Sequence, residues 1–173
     1  MPNFNNQHEN ILRAIEFATL KHCMHSISPE KAFRKHTGEP YIVHPIRVAK
    51  LVAHLGEPFM SVAILHDVRE DTHTTFEELE KAFGSVIAQC VEELTDVPHS
   101  MGNRKTRKDL NNKKLQSPVA KTVKCADIID NYPSIKQYDP KFAAVFASEK
   151  NEMLPYLDGA DVKLLEQMKD IVK

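Results

Sequence analysis

The sequence predicts an all-α fold of roughly seven to nine helices in one domain. Apolar residues recur with helical spacing almost everywhere, and no alternating strand pattern stands out. Only five glycines occur in 173 residues, too few for a β-rich or Gly-loop architecture. Ser, Thr or Asp followed by Pro, or by Glu three residues on, marks several helix starts.

In chain order, the first helix is expected over about 6–24, with Ile11, Leu12, Ile15, Ala18 and Cys23 on one face. Residues 28–41 hold two prolines and a glycine and read mostly as loop. Pro45, its φ preset, suits a first helical position, and Val48, Ala49, Val52 and Leu55 carry that helix to Gly56. Pro58 opens another, through Val62, Ile64 and Leu65 into His66-Asp67. Thr75 and Glu78 form a capping box for a helix stopped at Gly84. Ser85 then caps a helix with Ile87, Cys90, Val91 and Leu94 inward. Residues 97–116 set Arg104, Lys105, Arg107, Lys108, Lys113 and Lys114 against a single acid, Asp109. Ser117-Pro118 starts a helix to about 131, Asp139-Pro140 one to about 154, and Asp161 one to 172.

Composition narrows the function. Apolar residues make up 42% and charged residues 27%, which excludes wholesale disorder. A formal charge of −1 leaves no global basic field to recruit nucleic acid. There is no long uncharged apolar run, so no membrane span is expected, and Met1–Asn10 lacks the pattern of a secretory leader. Cys23, Cys90 and Cys125 are odd in number and far apart, which points to reduced, mostly core thiols and a cytoplasmic location. A homo-oligomer is compatible with all of this.

His66-Asp67-Val68-Arg69-Glu70-Asp71 packs four ionisable groups besides Arg69 into little more than one turn. If the helix continues, His66 lies under Glu70 and Asp67 under Asp71. Two readings stand open. One is a solvated helix end with Arg69 neutralising the acids; the other is a metal site of imidazole nitrogen and carboxylate oxygen. His44, before Pro45, reads as a buried hydrogen-bonding residue or a ligand. Asp127 interrupts an apolar face, where an acid needs a partner such as Lys124 or a metal.

The order His44, His66-Asp67, Asp127 decides between them. This H…HD…D pattern resembles the HD-domain metal-dependent phosphohydrolases, and most closely the hydrolase domain of the RelA/SpoT family and its small stand-alone versions. The likeness is carried by Arg34-Lys35-His36-Thr37-Gly38-Glu39-Pro40-Tyr41-Ile42-Val43-His44-Pro45, Leu65 to Thr72, Phe83-Gly84, and Lys124-Cys125-Ala126-Asp127 through Asn131. It covers roughly residues 8–157.

The resemblance implies one divalent cation, usually manganese, held by His44, His66, Asp67 and Asp127. It implies that Glu70 and Asp71 orient or deprotonate the attacking water. Its substrate class is guanosine 3′,5′-bis(diphosphate), with Arg34 and Lys35 near the base and phosphates, Lys124 and Asn131 beside the metal and ribose, and Arg104 in the phosphate-facing basic stretch. The long enzymes carry a synthetase domain that this chain has no room for, so hydrolysis alone is expected. Arg69, Asp130 and Tyr132-Pro133-Ser134-Ile135 depart from the family's usual pattern, leaving another nucleotide such as NADPH as an alternative substrate. A non-catalytic nucleotide-binding module is a third reading. Against it stands an intact set of six chemical residues. His22-Cys23-…-His25 lacks a matching second half and reads as structural, Cys125 as no nucleophile, and His36 and His73 stay undecided.

Overall fold

The computed structural model describes residues 4–173, with side chains from Glu9 onward; the first three residues of the stretch read as lacking a leader lie outside them. Among the described residues there are nine helices of seven or more residues and one single-turn helix. They are α1 (Phe4–Met24), α2 (Val43–Leu51), α3 (Phe59–Leu65), the short α4 (Val68–Asp71), α5 (Phe76–Phe83), α6 (Ser85–Leu94), α7 (Arg104–Lys114), α8 (Pro118–Tyr138), α9 (Pro140–Met153) and α10 (Val162–Ile171). No strand occurs among these residues, only two isolated bridges. None of these helices is long and apolar enough to cross a membrane.

Helix α8 is the central element and packs against α2, α3, α6, α9 and α10. Its Val123, Ala126 and Ile128 meet Val48, Val62, Leu65, Val91 and Met168 in one continuous buried cluster. Each such aliphatic side chain contributes about 1.5–3 kcal/mol by leaving water. The caps read from sequence form: the side chains of Ser117, Asp139 and Asp161 accept from the amides of Ala120, Phe142 and Leu164.

Several expectations need correction. The helix from Pro58 stops at Leu65, and His66-Asp67 form a turn before α4. Asp67 has φ −99° and ψ −5°, and its carbonyl accepts from Glu70 and Asp71, so it begins α4 and does not continue α3. Helix α8 runs past Asn131, straight through Pro133, to Tyr138. Proline in a helix interior costs about 3 kcal/mol; buried Tyr132 and the core-packed Ile135 offset it. The capping box is half made, since Thr75 accepts from the Glu78 amide while the Glu78 carboxylate pairs with Lys21 at 2.6 Å. Gly84, at φ +83°, is the residue before α6, where Ser85 was expected to cap. Helix α2 begins at Val43, two residues before Pro45. Cys23 is exposed; Cys90 and Cys125 are buried.

Candidate metal centre

Three separated pieces of chain meet in the core. His44 lies in the first turn of α2, His66 and Asp67 in the turn between α3 and α4, and Asp127 midway along α8. His44, His66 and Asp127 are buried, and each offers a ligand atom within 4.8 Å of the others. Asp67 completes the ring, its Oδ2 standing 3.0 Å from His66 Nε2 and 3.5 Å from His44 Nε2. Asp127 Oδ1 is 3.3 Å from His44 Nε2 and 3.7 Å from His66 Nε2.

The opposite ring nitrogens fix what these atoms are. His66 Nδ1 is 2.7 Å from the Ala63 carbonyl, an acceptor, so Nδ1 carries the proton. His44 Nδ1 is 2.7 Å from Asp130 Oδ2, with the same consequence. In the neutral rings both Nε2 atoms therefore present lone pairs to two carboxylates. Neither Nε2 atom has a hydrogen-bond partner. Lone pairs facing lone pairs in the core require a positive charge between them. The donor set suits a divalent cation, and the carboxylate–histidine and carbonyl–histidine contacts are the outer support such ligands use. Burial opposes charge on His66, but Asp67 and Asp127 outweigh it and hold its pKa well above the ordinary imidazole range.

Glu70 and Asp71 border this cluster with different surroundings. Asp71 is buried and pairs through Oδ1 with Lys31 at 2.5 Å. Burial, then the neighbouring Asp67, raises its pKa against that pairing. Glu70 reaches the mouth of a cleft and accepts from the Asp96 amide at 3.3 Å. The residue is exposed, but partial desolvation of its carboxyl in the cleft, with Asp67, Asp96 and Asp71 near, pushes its pKa up to about 7, in the range suited to a general base.

A cleft of about 460 Å³ opens above, lined by Arg34, Lys35, Tyr41, Glu70, Asp71 and Asn131 among others. Arg34 donates to Asn131 Oδ1 at 2.5 Å and lies over the Tyr41 ring, while Asn131 Nδ2 donates to Asp127 Oδ1 at 2.5 Å. Lys35 is exposed at the rim. Lys124 Nζ is 3.0 Å from Asp127 Oδ2, so the ion pair read as the bland account of Asp127 exists together with the histidine contacts. Arg104 stands further out, bidentate on Glu149 at 2.6 and 2.9 Å, where a second cleft of about 890 Å³ runs from Glu70 to α7. Arg69 pairs with Glu92 at 2.9 Å and not with Glu70. His36 stacks on Tyr138 beside the first cleft, and His73 is exposed.

Some contributions were not read from the sequence, where Asp130 stood out only as a departure from the family's pattern. Tyr41 donates to Asp67 Oδ2 at 2.6 Å, Asp130 orients His44, and Lys31 holds Asp71. Its contact with His44 could have been read too, since Asp130 sits three residues after Asp127 on the same helix face. His22 keeps its structural reading: buried, stacked on Tyr41 at 4.8 Å between ring centroids, and pushed down to about 4 by burial. Burial lifts the Cys125 thiol to about 12, too inert for a nucleophile.

Known proteins resemble this chain in sequence and fold. The family model described as "HD domain" matches residues 14–130. A guanosine-3′,5′-bis(diphosphate) 3′-pyrophosphohydrolase MESH1 from Danio rerio is 35% identical over 135 residues, covering 76% of this chain and 72% of the relative. A guanosine-3′,5′-bis(diphosphate) 3′-pyrophosphohydrolase from Aquifex aeolicus is 34% identical over 152 residues, covering 84% of this chain and 20% of that longer protein. A solved structure described as a metazoan ortholog of SpoT that hydrolyzes ppGpp superposes with a TM-score of 0.74 at 25% identity, over 94% of this chain and 93% of the other. With the histidine–aspartate doublet, its two partners from α2 and α8, and a family match over most of its length, this chain belongs to the HD-domain family.

Proposed function

We infer that the chain is a manganese-dependent hydrolase that converts guanosine 3′,5′-bis(diphosphate) to GDP and diphosphate. The observation that carries this is the pair of unpartnered His44 and His66 Nε2 atoms facing Asp67 and Asp127, with the Glu70 carboxylate at the mouth of the adjoining cleft. The relatives named for this activity supply the substrate. When bound, the cation supplies Lewis acidity to a phosphoryl oxygen and a lowered pKa to water.

The chain's own groups do the rest. Ionised Glu70 accepts a proton from the attacking water, and Asp71, fixed by Lys31, orients it. The water oxygen bonds to the phosphorus on the ribose 3′-oxygen. That phosphorus–oxygen bond breaks, its electron pair stays on the 3′-oxygen, and a proton from solvent completes the hydroxyl. Arg34, planar and beside Tyr41, offers a stacking face to the base, while Lys35, Lys124, Asn131 and Arg104 meet phosphate and ribose oxygens. The whole works as one HD-type unit over residues 1–173.

The test incubates purified protein with manganese and guanosine tetraphosphate, following products by anion-exchange chromatography, with NADPH phosphatase activity in parallel. GDP and diphosphate released in equal amounts, and lost on chelation, is the expected result. NADPH turnover with guanosine tetraphosphate untouched overturns the substrate assignment.

A further inference from the structure

His44 and Arg47 stand three residues apart on α2, so their side chains leave the helix on one face. Both meet the same carboxylate of α8. Asp130 Oδ2 lies 2.7 Å from His44 Nδ1, and Asp130 Oδ1 accepts from Arg47 Nε at 2.7 Å. The guanidinium continues outward, where a terminal nitrogen donates to the two carboxylate oxygens of Glu39 at 3.1 and 3.2 Å. The four side chains form one line from the centre to the surface: His44 is 1% exposed, Asp130 10%, Arg47 38% and Glu39 39%.

The outer end of this line is wet, and an ion pair of that kind adds little to stability. The inner end acts on direction. The torsion that turns an aspartate carboxylate is broad, so a single contact with His44 leaves its plane free. A second donor on the other oxygen fixes the plane, and with it the oxygen that faces Nδ1. Arginine can do this while holding a second acid, because its donors form a rigid fork; lysine has one nitrogen to place. Among the described residues Arg47 lines neither of the two clefts that open on Glu70, so its part is not contact with what those clefts hold.

Glu39 carries the line into the loop that bears Arg34 and Lys35. Its carbonyl accepts from the Arg34 amide at 2.8 Å, and the Thr37 hydroxyl donates to its carboxylate at 2.9 Å. Arg34 ties the same loop to α8 at Asn131. Adjacent residues of α8 thus each take one arginine, Asp130 from α2 and Asn131 from the loop.

Resting on the metal-binding part of the proposed function, we propose that Arg47 is a positioning residue for the metal centre. Through Asp130 it aims the His44 Nε2 lone pair into the ring of ligands, and through Glu39 it links the grip on the cation to the loop of Arg34.

The test titrates manganese into metal-free protein by calorimetry, comparing wild type, R47M, R47K, E39Q, D130N and the double variant R47M/D130N. R47M should bind manganese about five- to tenfold more weakly, at or below the low end of the 10–100-fold scale for a direct partner of a ligand. R47K should fall between R47M and wild type, and E39Q should lose about two- to threefold. The double variant should bind as D130N does, within about twofold, because Arg47 acts only through that carboxylate. Turnover supplies a second readout: for half-maximal hydrolysis of guanosine tetraphosphate, R47M should need more manganese by the same factor as its loss of affinity. Wild-type manganese binding in R47M overturns the proposal, and so do losses that add in the double variant, which mark Arg47 as a general support of the fold. Wild-type binding in E39Q removes the link to the loop. Should R47M melt too low to titrate, R47K in the wild-type and D130N backgrounds runs the same cycle. A wild-type protein that binds no manganese fails the functional reading itself. One that binds manganese and leaves guanosine tetraphosphate intact fails only the substrate assignment, and the calorimetry still decides on Arg47.

Discussion

The metal centre and the basic helix α7 both concentrate ionisable groups, and they treat them in opposite ways. Along α7 five of the six cations find partners: Arg104 on Glu149, Lys108 on Asp96, Lys113 on Asp109, Lys114 on the Thr95 carbonyl and Arg107 on that of Gly102. Most of these groups are wet, and such pairs contribute little to stability. At the centre the histidines have one satisfied nitrogen each, and the other points at a carboxylate as an unpartnered lone pair. Charge density alone therefore says little about function. Unmet demand for a partner, inside the core, says a great deal.

The sharpest break in that comparison is Asp127→Asn. The side chain keeps its shape, but one acid leaves the ring, so manganese affinity should fall by about two orders of magnitude or more, in line with losing a ligand where outer support alone is worth 10–100-fold. Calorimetric titration and the manganese-induced rise in melting temperature both report it, and normal binding would remove Asp127 from the ligand set. Glu70→Gln comes next. It should bind manganese as the wild type does and lose about 100-fold or more in kcat, the scale of a removed general base. Full turnover would exclude Glu70. Asp130→Asn is milder, because it acts through His44: the amide no longer enforces a proton on Nδ1, so manganese affinity should drop about 10–100-fold with the fold intact.

How much of this was legible depended on distance along the chain. Ser117, Asp139 and Asp161 announce their helices because a cap needs only three residues. The break at His66-Asp67 was hidden, since the apolar run before it is continuous and the turn is set by what Asp67 meets across the core. The end expected near 131 fails for a similar reason: packing of Tyr132 and Ile135 carries α8 through Pro133. Buried Glu93 accepts from the amides of Gln116 and Ser117 at the start of α8, a pairing 23 and 24 residues long that no local pattern shows. The candidate ligands were picked out by the order of His44, His66-Asp67 and Asp127, and the structure brings them together; the tautomers are set by the neighbours Asp130 and Ala63, which local sequence does not show.

Lys150, buried on α9 over the Phe146 ring, tests which of the two regions it resembles. The groups facing it are Lys108 from α7, Lys124 and Asp127 from α8, and Glu149 from its own helix, with Asp96 close by. Its pKa in the folded protein is about 7, below the ordinary value of 10.5. Between those two values the unfolded chain binds more protons at this position than the folded one, so the group makes stability rise as pH rises. Each unit of pH within that window is worth at most about 1.4 kcal/mol. Metal-free wild-type protein should therefore gain stability from pH 7 to 8 relative to K150M, by about 1 kcal/mol, as measured by urea unfolding at each pH. Parallel stability profiles for the two proteins would mean that Lys150 is charged and solvated as the α7 lysines are. A steeper wild-type profile places it with the histidines of the centre, as a buried group whose charge the fold opposes.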